Sequence, residues 1–177
     1  DWLLLVDEVQ TGIGRTGTLF AYQQYGILPD VVSFAKGIGG GLPLGGILAN
    51  EKCRAVLGPG MHATTFGGNP VSCAGGLSVL EQLTDGVLEE VKIKGELIRD
   101  YVEGMHSPYV AGVRGLGLMI GIQLRGIGHK ETAQKCIDAG LLVLTAGKDT
   151  LRLLPPLTIT KDEIVRGLEI LRGVLEA

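Results

Sequence analysis

Two short apolar runs, residues 3–6 and 31–34, each break off into polar and glycine-rich sequence, and this restricts the chain to few architectures. Continuous apolar runs of about four residues are the mark of parallel strands covered by helices on both faces. Asp7 follows the first run directly, and Lys36 follows the second after Ala35. Open α/β sheets bind ligands at the carboxyl ends of their strands, where the departing loops frame a crevice. Both ionisable side chains are therefore expected at one edge of one sheet. The run at residues 3–6 resembles the middle of a buried strand, so further chain is expected to precede it in a complete protein.

From Asn69 to about Met105 the pattern turns helical. Leu77, Leu80 and Leu83 form one apolar stripe, and Val87, Val91, Ile98 and Val102 continue at compatible spacings, with a break at Thr84-Asp85-Gly86. Leu116, Leu118, Ile120, Ile122 and Leu124 then alternate with Gly117, Met119, Gly121 and Gln123, which predicts one half-buried strand. A helix near 129–139 and strands near 141–145 and 151–154 follow. In the last helix Thr160 and Glu163 form a capping box, and Ile164, Leu168, Leu171 and Leu175 line one face. The change of texture near 105–108 predicts two domains, 1–106 and 107–177.

Glycine supplies 29 of the 177 residues, more than twice the usual ~7%, and it clusters at turns rather than repeating at a fixed period. The net charge of −3 comes from interspersed signs, and aromatic residues are only 5%, which argues against a nucleic-acid partner. Cys53, Cys73 and Cys136 lack the spacing of a zinc site or of a disulfide framework, which fits a reducing cytoplasm. No apolar run approaches the ~20 residues of a membrane span. His62, His106 and His129 share no ligand spacing, and no metal is expected. The stretch 37–46 lacks the Lys-Ser/Thr ending of a phosphate loop and is expected to form a strand-turn-strand around Lys36.

A lysine and a carboxylate at neighbouring strand ends can serve pyridoxal phosphate, which needs an amine for its Schiff base and an anion beside its protonated pyridine nitrogen. The residues carry a closer likeness. Residues 5–12 (LVDEVQTG), 14–17 (GRTG), 29–30 (PD), 34–37 (FAKG) and 67–70 (GGNP) resemble the class III aminotransferases in order and spacing. Within that class residues 142–147 (LVLTAG) and 151–157 (LRLLPPL) are similar to the members that act on N-acetylornithine in arginine biosynthesis.

The resemblance implies the C-terminal part of a fold type I PLP-transferase large domain followed by a small α+β domain, with pyridoxal 5'-phosphate as cofactor. Lys36 would be the Schiff-base lysine and proton shuttle, and Asp7 the pyridinium partner. Val9 would pack on the ring face and Gln10 would lie near the phenolic oxygen. Glu8 joins this set by its position between them, although its carboxylate reads as structural. Thr65 would reach the cofactor phosphate of the neighbouring subunit in a homodimer with composite sites, and Thr64 would lie beside substrate. Arg152 would clamp a substrate carboxylate, a task suited to a planar guanidinium fork. The substrates implied are an amino donor, N-acetylornithine, and the acceptor 2-oxoglutarate, with donors such as ornithine, succinylornithine or 4-aminobutyrate as alternatives.

Two other readings stand beside this one. Residues 3–8 also fit the apolar strand and Asp-Glu of an ATPase that holds Mg²⁺, and the phosphate loop of such a protein could lie upstream. The chain could equally be a folded piece that binds cofactor poorly, because the family's other phosphate-binding, ring-stacking and substrate-arginine residues precede this segment.

Overall fold

A computed structural model describes residues 2–176. They form two compact units that divide between residues 88 and 89. The expected divide at 106/107 lies downstream of this one. The helix preceding it belongs with the second unit, because its apolar stripe of Val91, Ile98 and Val102 is buried in that unit's core.

The first unit has a three-stranded sheet: β1 (Leu5–Asp7), β2 (Val31–Phe34) and β3 (Gly46–Ala49), in the order β1-β2-β3. β1 and β2 run parallel and pair Asp7 with Ser33, whereas β3 returns antiparallel and pairs Gly46 with Phe34. The chain reverses between β2 and β3 through a 3₁₀ turn at Lys36–Gly39, as the glycine-rich composition of 37–46 predicts. A Cβ on Gly45 would stand 3.1 Å from the Ala35 side chain, so the return needs a residue without one. Asp30 ties the strands together at the opposite end. It accepts the Leu4 N–H at 2.9 Å and the Asn50 side-chain amide at 2.7 Å, and its carboxyl lies below the ordinary range, chiefly because of the Leu4 N–H.

The apolar core of this unit centres on Ile13, Phe20, Val32 and Ile38. The expected burial of residues 3–6 is not met: Leu5 is 65% exposed, because the cover available in this unit falls on β2 and the following turn rather than on β1. Helix α1 (Pro70–Gln82) starts at Asn69, whose side-chain oxygen accepts from the N–H groups of Val71 and Ser72, with Pro70 at the first helical position. Its buried face is Ser72 and Gly76, not the expected leucine stripe, for Leu77 and Leu80 are exposed. Small residues win there because α1 lies close against the turn after Lys36. A Cβ on Gly75 would meet Leu42 at 3.0 Å and the Gly39 carbonyl at 3.1 Å.

In the second unit, β4 (Val110–Leu116), β5 (Met119–Leu124), β6 (Leu144–Ala146) and β7 (Thr150–Leu153) form an antiparallel sheet in the order β4-β5-β7-β6. The single strand expected over 116–124 is a hairpin instead. Leu116 pairs with Met119, and the chain turns through Gly117, which has φ +50°. A Cβ on the neighbouring Gly115, at φ +126°, would run into the Met119 carbonyl. β5 then alternates strictly. Ile120, Ile122 and Leu124 are buried, while Gly121 and Gln123 point to the other face.

Against the buried face pack α2 (Asp85–Gly104), α3 (His129–Asp138) and α4 (Lys161–Glu176), through residues such as Val91, Cys136, Leu168 and Leu171. The break between α1 and α2 falls at 83–84, beside the predicted one. α4 opens with the predicted capping box: Thr160 Oγ1 accepts the Glu163 N–H at 3.2 Å, and Glu163 accepts the Thr160 N–H at 2.8 Å. Its stripe of Ile164, Leu168, Leu171 and Leu175 is fully buried. Among the described residues no helix is long and apolar enough to cross a membrane.

Candidate active site

Asp7 closes β1, so its side chain stands at the carboxyl edge of the sheet. Its Oδ1 accepts the Val9 N–H at 2.9 Å and the Ser33 hydroxyl at 3.1 Å. Ser33 is its partner in the β1–β2 register, and one hydroxyl on the neighbouring strand thus fixes the carboxylate. The acid is held below the usual carboxylate range, first by the Val9 N–H, then by the Ser33 hydroxyl, with the charge of Lys36 a smaller contribution. Both donors converge on Oδ1, and Oδ2 has no hydrogen-bond donor shown among the described residues, so it can take one brought by a ligand. Ser33 was not singled out in the sequence, where a lone serine in an apolar run looks like ordinary strand polarity.

Lys36 opens the turn after β2, and its side chain is exposed. Its backbone is left-handed, φ +53°, a region that costs a residue bearing a Cβ about 1–2 kcal/mol. Strain of that kind gathers where the surrounding structure fixes a functional side chain. The turn immediately beyond is anchored by Ile38, buried in the core, and by α1.

Of the residues after Asp7, Val9 is half-buried and Gln10 exposed, whereas Glu8 is buried to 1% exposure. Glu8 accepts the Tyr22 N–H at 2.8 Å and the Thr11 hydroxyl, so its carboxylate binds the 8–22 segment to the end of β1. Both oxygens are engaged within the protein. Thr64 and Thr65 lie exposed on the segment that leads into α1. A Cβ on Gly67 would run into the Thr64 side chain, which accounts for a glycine two residues past Thr65.

Arg152 belongs to the second unit, on β7, paired with Gly121 of β5 and Leu144 of β6. Its Nε is buried without a hydrogen-bond partner among the described residues. An unmet buried donor costs about 1–3 kcal/mol, or more when charged, which a carboxylate ligand would relieve. Beside it opens a cavity of about 270 Å³ lined by Leu141, Leu144, Pro155, Pro156 and Ile159 among others. The first unit thus brings Asp7, Ser33 and Lys36 to one sheet edge, while Arg152 takes its setting from the second sheet.

The sequence pattern of the aminotransferase class-III family matches residues 1–175, and the chain belongs to that family. Among curated relatives, the acetylornithine aminotransferase of Caldanaerobacter subterraneus subsp. tengcongensis is 47% identical over 178 residues, covering 99% of this chain and 45% of that protein. The acetylornithine aminotransferase of Streptomyces coelicolor is 49% identical over 176 residues, covering 98% of this chain and 44% of that protein. A solved N-acetylornithine aminotransferase from Stenotrophomonas maltophilia superposes with TM-score 0.88 at 36% identity, over 98% of this chain and 47% of the other. Plasmodium falciparum ornithine delta-aminotransferase superposes equally well, TM-score 0.88 at 35% identity, covering 98% and 47%. The chain spans a little under half the length of the curated relatives it matches.

The fold is accordingly the C-terminal part of a PLP-transferase fold, and the cofactor of the family is pyridoxal 5'-phosphate. The residues present fit that group. Asp7 offers a carboxylate held below the usual range, with its second oxygen turned to no donor shown among the described residues, and Lys36 offers an exposed amine from the turn after the adjacent strand.

Proposed function

We propose that the full-length protein transfers the δ-amino group of N-acetylornithine to 2-oxoglutarate, giving N-acetylglutamate semialdehyde and glutamate. The observation that carries this reading is the Asp7–Ser33 pair at the end of β1, with Lys36 leaving the neighbouring strand. Pyridoxal phosphate supplies, when bound, an aldehyde for amine exchange and a protonated ring that draws electrons from the substrate carbon. Lys36 holds the cofactor covalently between turnovers and carries a proton to and from the amine-bearing carbon. Asp7 presents its charge to the ring nitrogen, with Val9 and Gln10 beside the ring and Thr64 near substrate. Arg152 receives a substrate carboxylate through its fork. The reaction belongs in the cytoplasm.

The choice of donor rests on the likeness to acetylornithine aminotransferases, with ornithine as the second reading because ornithine aminotransferases superpose as well. A competition assay on the full-length enzyme tests it. N-acetylornithine should have the highest kcat/KM against ornithine, succinylornithine and 4-aminobutyrate, and a preference for any of these would overturn the assignment.

Thr65 supplies its hydroxyl and N–H to the phosphate of the neighbouring subunit, which makes the enzyme a two-fold dimer with composite sites. Mixed dimers check this. Subunits carrying Thr65→Ala and Lys36→Ala should regain activity on mixing, since one site then collects both lesions and the other neither. Hybrids verified by mass but no more active than their parents would place the whole site within one subunit.

A further inference from the structure

Arg114 of β4, Gly121 of β5 and Arg152 of β7 stand in one row across the second sheet, so both arginine stems rise from the face opposite the core. Two strand spacings separate their Cα atoms by about 9.5 Å. Gly121 between them has no side chain, and Arg114 uses that gap. A Cβ there would lie 3.5 Å from Arg114 Cγ and 3.0 Å from the methyl of Thr150. Arg114 thus crosses β5 and donates from Nη2 to Thr150 Oγ1 at 3.0 Å. Thr150 is 2% exposed and donates in turn to Asp149 Oδ1 at 3.0 Å, while Gln123 donates to Asp149 Oδ2 at 2.8 Å. This chain of contacts ends two residues from Arg152 on the same strand and face. Asp149 is kept ionised, first by the Gln123 amide and then by the Thr150 hydroxyl, with the charges of Arg114 and His129 adding to both.

We propose that Arg114 is a positioning residue for carboxylate recognition at Arg152: laid over Gly121 and anchored on Thr150, it bars the Arg152 stem from folding back across β5 and adds a second positive charge to the same row. The inference rests on the reading of Arg152 as the carboxylate clamp. It accounts for Nε of Arg152 having no hydrogen-bond partner among the described residues, because the space where that guanidinium could turn back to Thr150 is filled by a group of like charge. The anion drawn to this row is the carboxylate of the acceptor acid.

The test is steady-state kinetics on the full-length holoenzyme with 2-oxoglutarate, over a range of salt concentrations. Arg114→Met should raise KM roughly ten-fold, the size expected of one charge about 10 Å away at the effective dielectric of a protein surface. Its kcat should change less than about three-fold, and the dependence of KM on salt should weaken, because the screened charge is gone. Arg114→Lys keeps the charge and should hold KM within about three-fold of the parent. A purely structural residue would lower the melting temperature and leave the salt dependence alone. If Arg152→Met raises KM but Arg114→Met, with an unchanged melting temperature, alters neither KM nor its salt dependence, the role given to Arg114 is wrong. Arg114→Lys behaving like Arg114→Met at unchanged melting temperature would also overturn it. Should Arg152→Met itself leave KM unchanged, the clamp reading fails first, and this inference with it.

Discussion

Lys36→Ala in the full-length protein should lower turnover by at least the ~10²-fold attributed to a positioned proton carrier, and borohydride should no longer fix the cofactor to the chain. The remaining lysine of residues 1–88, Lys52, is not placed to substitute, because it pairs at 3.2 Å with Asp30 at the opposite end of the strands. The fold should survive, since the Lys36 side chain is exposed and its truncation leaves no cavity. The backbone adds a second readout. At φ +53° glycine is the unstrained residue, so Lys36→Gly should be more stable than Lys36→Ala by about 1 kcal/mol in the cofactor-free proteins. Transamination by Lys36→Ala above a hundredth of the parent rate would remove Lys36 from its role, and equal melting temperatures for the two variants would remove the strain argument.

The second large effect is expected at Asp7. Asparagine is nearly isosteric, and its amide oxygen can accept the same Val9 N–H and Ser33 hydroxyl, so the loop and the bound cofactor should both persist. What disappears is the negative charge that the proposed role needs to keep the ring nitrogen protonated. A loss on the order of 10²–10³-fold in the single-turnover rate is expected, comparable to removing a preorganised electrostatic partner elsewhere. Asp7→Asn protein with full cofactor occupancy and a normal single-turnover rate would contradict the assignment.

Much of this arrangement was legible before any coordinates. Short apolar runs place Asp7 and Lys36 at strand ends, and the Thr160–Glu163 box with its leucine stripe marks α4. Other features depend on information that local pattern does not carry. The alternation from Leu116 to Leu124 runs unbroken through a turn, because Gly117 occupies a position where the period of two also puts a small residue. The leucines of α1 form a helical stripe, yet the turn after Lys36 approaches so closely that the buried positions beneath it are Ser72 and Gly76, with Gly75 at the closest approach. Ser33 and Arg114 gain their significance from register, which pairs one with Asp7 and sets the other in line with Arg152. The division between the compact units falls upstream of the change of texture near 105–108, because α2 shares its core with the sheet that follows.

The order of influences on Asp7 bears on how the two principal groups work together. Its ionisation is maintained mainly by a peptide N–H and a hydroxyl, donors whose charge does not vary during a catalytic cycle, and only weakly by the Lys36 ammonium. In the proposed reaction Lys36 gains and loses protons. Had its ammonium been the chief support of the carboxylate, each deprotonation would weaken the anion assigned to the ring nitrogen. In the proposed reaction the Val9 and Ser33 donors would keep the carboxylate ionised whether or not Lys36 carries a charge.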